Sequence, residues 1–435
     1  KTMKTRLLIL ALSFGLLPSA FALNTNVNKI RVTHIKFDYK GGHAAKGDGL
    51  NIRKSFGEDL VHEGNGVGWG EWIRSGVDVE KGNAPRNEPA LWVAKDTVKI
   101  SVRFEAQSLG AANISAKPKD GKLKNVRSRM VNFAVKNGTK PEPKDKWTSE
   151  SQGDNGAPAE WCLFDLDGDT GDTIAKLEDQ WVWFYTDDKG GEKKFDSSGK
   201  HVVYRVIGDG PFPPWFGTGD HRHPWVDALE FSIRKAKTEG ISVPFEAIKR
   251  LTLFIHAEYG LKYDTKDGAP YYFAGPEMEL SGFIRKTSKL VNCHDCAAAL
   301  TATSSLLGVE PLYYYQPKFG YIKATALIGV GNCNNPFFKD RQYVSKKLVP
   351  EDDYYEKIVD GKHGRSYFRN HGFVVDSNSH TVFDACVGPH LGTEDVIAYH
   401  GNAIDASSAD PVADAAKKLR QGSSGAIISF PIDLK

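Results

Sequence analysis

Three residues stand out for the chemistry they could do together. They are Cys293 in Val291-Asn292-Cys293-His294-Asp295-Cys296, His371 in His371-Gly372-Phe373-Val374-Val375, and Asp384 in Thr381-Val382-Phe383-Asp384. Cysteine, histidine and aspartate in this order read as an acyl-transfer site: a thiol nucleophile, an imidazole base, and a carboxylate that orients the base. The thiol works only as thiolate, and a cysteine in the first turn of a helix is favoured in that form by free N–H groups and the positive dipole end. Asn292 suits the N-cap, and Asp295, three residues on, can reach back as in a capping box, which puts Cys293 at the first helical position. Its own backbone N–H is then the obvious oxyanion donor.

The base and its orienter are expected on a hairpin. Gly372 to Val375 and Thr381 to Phe383 are β-prone runs joined by the polar Asp376-Ser377-Asn378-Ser379. With Ser377-Asn378 as a two-residue loop, Val375 faces His380 and His371 faces Asp384. Directly opposed residues have Cβ atoms roughly 5 Å apart, near enough for the carboxylate to fix the imidazole tautomer. A one-residue slip would send the two side chains to opposite faces. Of the neighbouring histidines, His380 falls at the turn end and His363 and His390 lack a strand partner.

Period changes along the chain place these motifs. Up to about Gly210, runs such as Ile30 to Phe37, Thr97 to Phe104, Asp179 to Tyr185 and His201 to Val206 alternate as half-buried strands do. One or two antiparallel β-sandwich modules are expected, with Pro211-Phe212-Pro213-Pro214-Trp215 as the linker. After it, Trp225 to Ile233 and Pro244 to Ile255 carry apolar residues at helical spacing. The nucleophile helix is expected from Cys293 to about Leu307, before Gly308, with strands dominating afterwards. Helices first and sheet later imply an α+β domain.

Length and composition bound the rest. At 435 residues, 40% apolar and 11% aromatic, the chain is long enough for two or three packed domains. A formal charge of +3 gives no long-range field that points to nucleic acid. The basic cluster Lys117, Lys119, Lys122, Lys124, Arg127, Arg129 reads as a solvated face. Lys4 and Arg6, the apolar run Leu7 to Leu17 and Pro18-Ser19-Ala20-Phe21-Ala22 read as a secretory signal cleaved after Ala22. No later run is long enough for a transmembrane anchor, so an exported, secreted or periplasmic protein is expected. The expected division is 1–22 signal, 23–210 accessory β region and 211–435 catalytic domain. Export favours disulfides, and five cysteines leave one thiol over. Cys162, Cys293, Cys296, Cys333 and Cys386 do not dictate a pairing. Cys296 with Cys386 is favoured because each lies a short step from a proposed catalytic residue.

These residues resemble the transglutaminase-like branch of the papain-like superfamily. Gly260-Leu261-Lys262-Tyr263-Asp264 is similar to the segment before the nucleophile, and Cys293-x-Asp295-x-Ala297 followed by Leu306-Leu307-Gly308-Val309 to the nucleophile helix and its exit. His371 with its following apolar residues, then Phe383-Asp384-Ala385, resembles the histidine and aspartate strands. Departures are Asn292 in place of a frequent glycine and Phe373 in place of a frequent tryptophan. The N-terminal half resembles the immunoglobulin-like β-sandwich modules appended to such domains in bacteria. The resemblance implies a papain-like α+β domain, the triad Cys293, His371 and Asp384, and a thioester intermediate formed on an amide of a protein or peptide. It implies no required cofactor, and a β region that contacts a cell surface or wall.

Other readings compete for the same residues. Cys293-His294-Asp295-Cys296 is also a C-x-x-C, which would serve thiol-disulfide exchange. That reading leaves the His-Asp hairpin unexplained. A non-catalytic adhesion or assembly protein would carry the same fold with an idle triad. Asp165-Leu166-Asp167-Gly168-Asp169-Thr170-Gly171-Asp172 resembles an acidic calcium loop, but its spacing departs from an EF-hand and a solvated acidic turn is the simpler reading. His221 and His223 lack a clear third metal ligand, and Asn113-Ile114-Ser115 and Asn137-Gly138-Thr139 match glycosylation acceptors.

Overall fold

The computed structural model describes residues 30–37, 70–75, 86–105, 110–133, 162–215, 224–317, 319–338, 347–349, 358–359, 362–363, 366, 368–405, 428–429 and 433–434. The proposed signal, His221, His223 and Asn137 lie outside them.

Twelve strands come first. β1 (Arg31–Phe37), β2 (Glu71–Ile73), β3 (Arg86–Asn87), β5 (Lys99–Glu105) and β8 (Cys162–Asp165) make one sheet in the order β3-β2-β1-β5-β8; β4 is Ala90–Val93. β6 (Gly110–Pro118), β7 (Val126–Phe133), β10 (Trp181–Thr186) and β11 (Glu192–Ser197) make a second, ordered β11-β10-β6-β7. Both are antiparallel. Val32, Ile35, Ile100, Val102 and Phe164 of the first meet Ile114, Val126, Trp181 and Trp183 of the second in one core, so the alternating runs of the sequence do face one interior.

A third sheet, β4-β12-β9, with β9 at Ala175–Asp179 and β12 at His201–Val206, is a shared layer. Alternate residues go to different cores: Ala90, Trp92 and Val203 join the sandwich, while Leu91, Val93, Tyr204 and Val206 join the core of the C-terminal region. A strand buried on both faces reads as a continuous apolar run, which is why Ala90-Leu91-Trp92-Val93 shows no alternation.

The segment expected to be a linker is packed instead. Trp215 is wholly buried and its indole Nε1 donates to Ala302 O at 2.7 Å, while Phe212 N donates to Ser305 O at 2.9 Å. The helices follow where the period predicts: α1 (Val226–Leu229), continued by wider π-type turns over Glu230–Lys235, and α2 (Pro244–Leu253), continued likewise over Phe254–Glu258. α3 is Leu280–Arg285 and α4 is Cys293–Leu306. Every residue of α4 is buried, so it is the central helix of this core. Its hydroxyls are satisfied locally: Thr301 Oγ1 donates to Ala297 O, Thr303 Oγ1 to Ala299 O and Ser304 Oγ to Leu300 O.

Against α4 lies an antiparallel sheet of β13 (Pro311–Gln316), β14 (His371–Asp376), β15 (Thr381–Asp384), β16 (His390–Asp395) and β17 (Ile428–Ser429), ordered β16-β15-β14-β13-β17. α5 (Val396–Ala403) leaves β16 and packs back on it. The described molecule thus mixes helices with antiparallel sheets, an α+β architecture.

Candidate active site

The N-terminus of α4 is built as its sequence suggests. Asn292 Oδ1 accepts the N–H groups of His294 at 2.9 Å and Asp295 at 3.1 Å, and Asp295 Oδ2 accepts that of Asn292 at 3.0 Å, closing a capping box. The cap engages those two helix amides rather than that of Cys293, which opens the helix. Asp295 does more than cap. Its carboxylate also accepts the N–H groups of Tyr271, Tyr272 and Phe273, each at 2.8 Å, tying that loop to the turn that carries the thiol.

His371 and Asp384 meet, but by a different register from the one expected. Val375 pairs with Val382, not with His380, because the loop is longer: His380 takes a left-handed conformation at φ 56° and its N–H closes on Asp376 O at 2.8 Å. In this register Asp384 lies across from Phe373, two residues along from His371. The shift preserves the face, since the side-chain period of a strand is two. The imidazole reaches diagonally, and its Nε2 lies 2.7 Å from Asp384 Oδ2.

Asp384 is fully engaged. Oδ2 also accepts the Tyr399 hydroxyl at 2.7 Å, and Oδ1 accepts the N–H groups of Cys386 at 2.7 Å and Val387 at 3.0 Å. Burial alone would push this carboxyl up, but the charge and hydrogen bond of His371, with help from His390 and Tyr399, hold it below its ordinary value. Phe319 covers the imidazole, its ring centre 4.3 Å away, and Phe368 and Phe373 close further sides.

The other imidazole nitrogen completes the arrangement. His371 Nδ1 is buried with no partner in ordinary hydrogen-bond geometry, and the ring feels the charge of Asp384 first and of Cys293 second. Burial opposes ionisation of the thiol, yet positive charge on His294 and His371 prevails and brings Cys293 down to about 5. For His371 burial likewise opposes the charged form, while Asp384 and the Cys293 thiolate raise it to about 10. Both directions favour a thiolate beside an imidazolium. Cys293 is only 2% exposed. A substrate reaches it only if its surroundings give way.

The other cysteines differ. All five are buried free thiols, so the expected Cys296–Cys386 bridge is not formed; the two instead share a hydrogen bond. That bond favours ionisation of Cys296, but burial and the charges of Asp295 and Asp384 outweigh it and raise the thiol above its usual value. One turn of helix therefore separates an ionisable sulfur from one held neutral.

Similarity to known proteins is remote. Among solved structures, red sea bream transglutaminase is similar over 74% of this chain and 53% of its own, at 12% identity and a TM-score of 0.35. The chain thus spans about half the length of that protein. No family model and no curated protein matches the sequence.

Two elements of the site carry no readable signal in the sequence. Tyr399 lies fifteen residues beyond Asp384 on α5, and only the fold brings its hydroxyl to the carboxylate. His294 looks like a bystander next to Cys293, yet its Nδ1 lies 2.6 Å from Tyr313 Oη and its Nε2 2.8 Å from Asn370 Oδ1. Elsewhere, the acidic loop is engaged by its own surroundings: Asp165 pairs with Lys99, Asp167 with Arg127, and Asp169 accepts the Gly171 N–H. No cluster of three metal-ligating side chains occurs among the described residues, and none of their helices is long and apolar enough to cross a membrane.

Proposed function

We propose that this chain is an exported, cysteine-dependent acyl transferase or hydrolase of the transglutaminase-like class, acting on amide bonds of proteins or peptides. Cys293 is the nucleophile, His371 the general base and acid, and Asp384 the group that orients the imidazole. The observation that carries the reading is the 2.7 Å contact from His371 Nε2 to Asp384 Oδ2, which leaves Nδ1 to serve the sulfur at the head of α4.

The thiolate attacks an amide carbonyl, and the oxyanion that forms lies near the helix N-terminus, where the Cys293 N–H is the donor. His371 then gives its proton to the leaving amine, and a thioester remains on Cys293. Water resolves it to an acid, and an incoming amine resolves it to a new amide. No step calls for a cofactor. In this reading residues 211–435 form the catalytic domain, and residues 23–210, an immunoglobulin-like accessory region behind a signal at 1–22, present substrate or hold the enzyme against a cell surface.

Thiol-disulfide exchange through Cys293 and Cys296 fits less well. Cys296 is turned to Cys386, and the exchange reading gives the His371–Asp384 pair no work. Labelling with iodoacetamide at neutral pH tests the proposal. Cys293 is expected to label faster than the other four thiols, and His371→Ala to abolish the advantage. Equal rates at all five would defeat it. Mass spectrometry of candidate substrate proteins after incubation then separates a new acid, a cut peptide and an isopeptide bond.

A further inference from the structure

The imidazole next to the nucleophile is placed as deliberately as the one across from it. Cys293 and His294 at the head of α4 face Asn370 and His371 at the start of β14, so the helix and strand are joined by two polar rungs. In one the thiol and the His371 ring act on each other by charge. In the other His294 Nε2 meets Asn370 Oδ1 at 2.8 Å, and the opposite ring nitrogen, Nδ1, meets Tyr313 Oη at 2.6 Å. The ring is laid nearly parallel to Tyr315, 5.5 Å between centres, and to Phe273 at 6.2 Å. Glycine at position 372 makes the fit: a Cβ there would come within 2.7 Å of His294 Nδ1.

Both partners of the ring can accept. An amide oxygen accepts only, and a tyrosine hydroxyl accepts as readily as it donates. The pocket therefore satisfies the His294 cation as fully as the neutral ring, in which Tyr313 donates to Nδ1, so protonation of Nδ1 breaks no hydrogen bond. The titratable groups around it are Cys293 and Asp295 on α4, Tyr313 and Tyr315 on β13, and His371 on β14. Cys293 is the one whose ionised form the His294 charge most directly favours.

We propose that His294 is a positioning residue of the active site: held by Asn370 and Tyr313 in a pocket that can accept from both ring nitrogens, it is the second cationic partner of the Cys293 thiolate and extends its reactivity into mildly acid conditions. The assignment rests on Cys293 being the nucleophile. Burial and, to a smaller extent, the charge of His371 lower the tendency of His294 to hold a proton, while Cys293 and the Asn370 contact raise it, with a net rise above the ordinary imidazole value.

The test is the pH profile of Cys293 alkylation by iodoacetamide in the full chain, followed by peptide mass spectrometry. His294→Gln keeps a hydrogen-bonding side chain but no charge. Its acid limb should move up by about one pH unit, roughly a fivefold slower rate at pH 5, and rejoin the wild-type curve by about pH 7. Asn370→Ala leaves the imidazole but removes an acceptor for its proton, so it should shift the limb the same way by a smaller amount. This second variant lies outside the helix and keeps the test open if His294→Gln does not fold. Normal wild-type labelling with unmoved acid limbs in the variants would overturn this proposal alone. Wild-type Cys293 that labels no faster than the other four thiols would overturn the nucleophile assignment, and this one with it.

Discussion

Both oxygens of one buried carboxylate hold the candidate site together. Asp384 takes the imidazole and the Tyr399 hydroxyl on Oδ2 and two backbone amides on Oδ1. Asp384→Asn replaces an acceptor by a donor facing His371 in a buried site, so it should cost about 3–5 kcal/mol, the usual result of breaking a buried pair, and slow Cys293 alkylation about 100-fold or more. Urea denaturation and labelling rates measure the two effects. Tyr399→Phe is milder, about 1–2 kcal/mol for one buried hydrogen bond to a charged group. The pH dependence has a definite sign. His371 holds its proton up to about 10, above the roughly 6.5 of an unfolded chain, so the stability this proton contributes is complete below about pH 6.5 and is lost as pH rises through 10. Cys293 acts in the opposite sense: its contribution is complete above about pH 8.5 and is lost as pH falls through about 5. The fall in melting temperature between pH 7 and pH 10 should therefore shrink in Asp384→Asn, and an unchanged slope would deny the ion pair. At this scale the sequence showed residue types, since a cysteine behind an N-cap and an aspartate inside an apolar strand each ask for a partner. It could not show Tyr399 or the work of His294, whose roles are contacts between elements far apart in the chain.

The elements that aim these residues were legible where the signal is local. Asn292 and Asp295 announce the start of α4, and the structure closes the capping box they predict. Asn292→Ala should cost about 1 kcal/mol, typical of a lost N-cap. Asp295→Ala should cost distinctly more, because the N–H groups of Tyr271, Tyr272, Phe273 and Asn292 all lose their acceptor. Thermal denaturation with both variants would refute the cross-tie if their costs were equal. The hairpin was misread for a physical reason. Its turn ends on His380 in a left-handed conformation, a place glycine or asparagine would have marked, so the shorter loop looked sufficient. The His-Asp meeting survived because the change kept both residues on one face. The π-type turns ending α1 and α2 have no comparable marker, since their apolar spacing is that of an ordinary helix.

At the scale of the molecule, the N-terminal β region and the C-terminal α+β region share a layer, a fact hidden in the sequence by the proline-rich run at 211–215. Leu91, Val93, Tyr204 and Val206 lie in the same core as α4. Behind that layer the chain turns at Ile207 and Gly208 directly against the end of α4, where Ile207 N donates to Leu307 O at 3.1 Å. Gly308 is the closest point. Its φ is +93°, and a Cβ there would lie 1.7 Å from Ile207 O, a backbone atom at the end of β12 that cannot swing aside. Gly240 is a built-in control, with φ +88° and nothing within 4 Å of its Cβ position. Gly240→Ala should lose only the cost of a left-handed alanine, about 1–2 kcal/mol. Gly308→Ala carries the same strain plus a clash relieved only by parting β12 from α4, and so should lose several kcal/mol more. If the halves are one cooperative unit, the larger loss appears as a single transition at lower temperature; if they are separable, calorimetry of Gly308→Ala should split into two transitions while Gly240→Ala keeps one. Equal costs for the two substitutions would mean that the end of β12 yields freely, and that α4 does not depend on the N-terminal β region for its position.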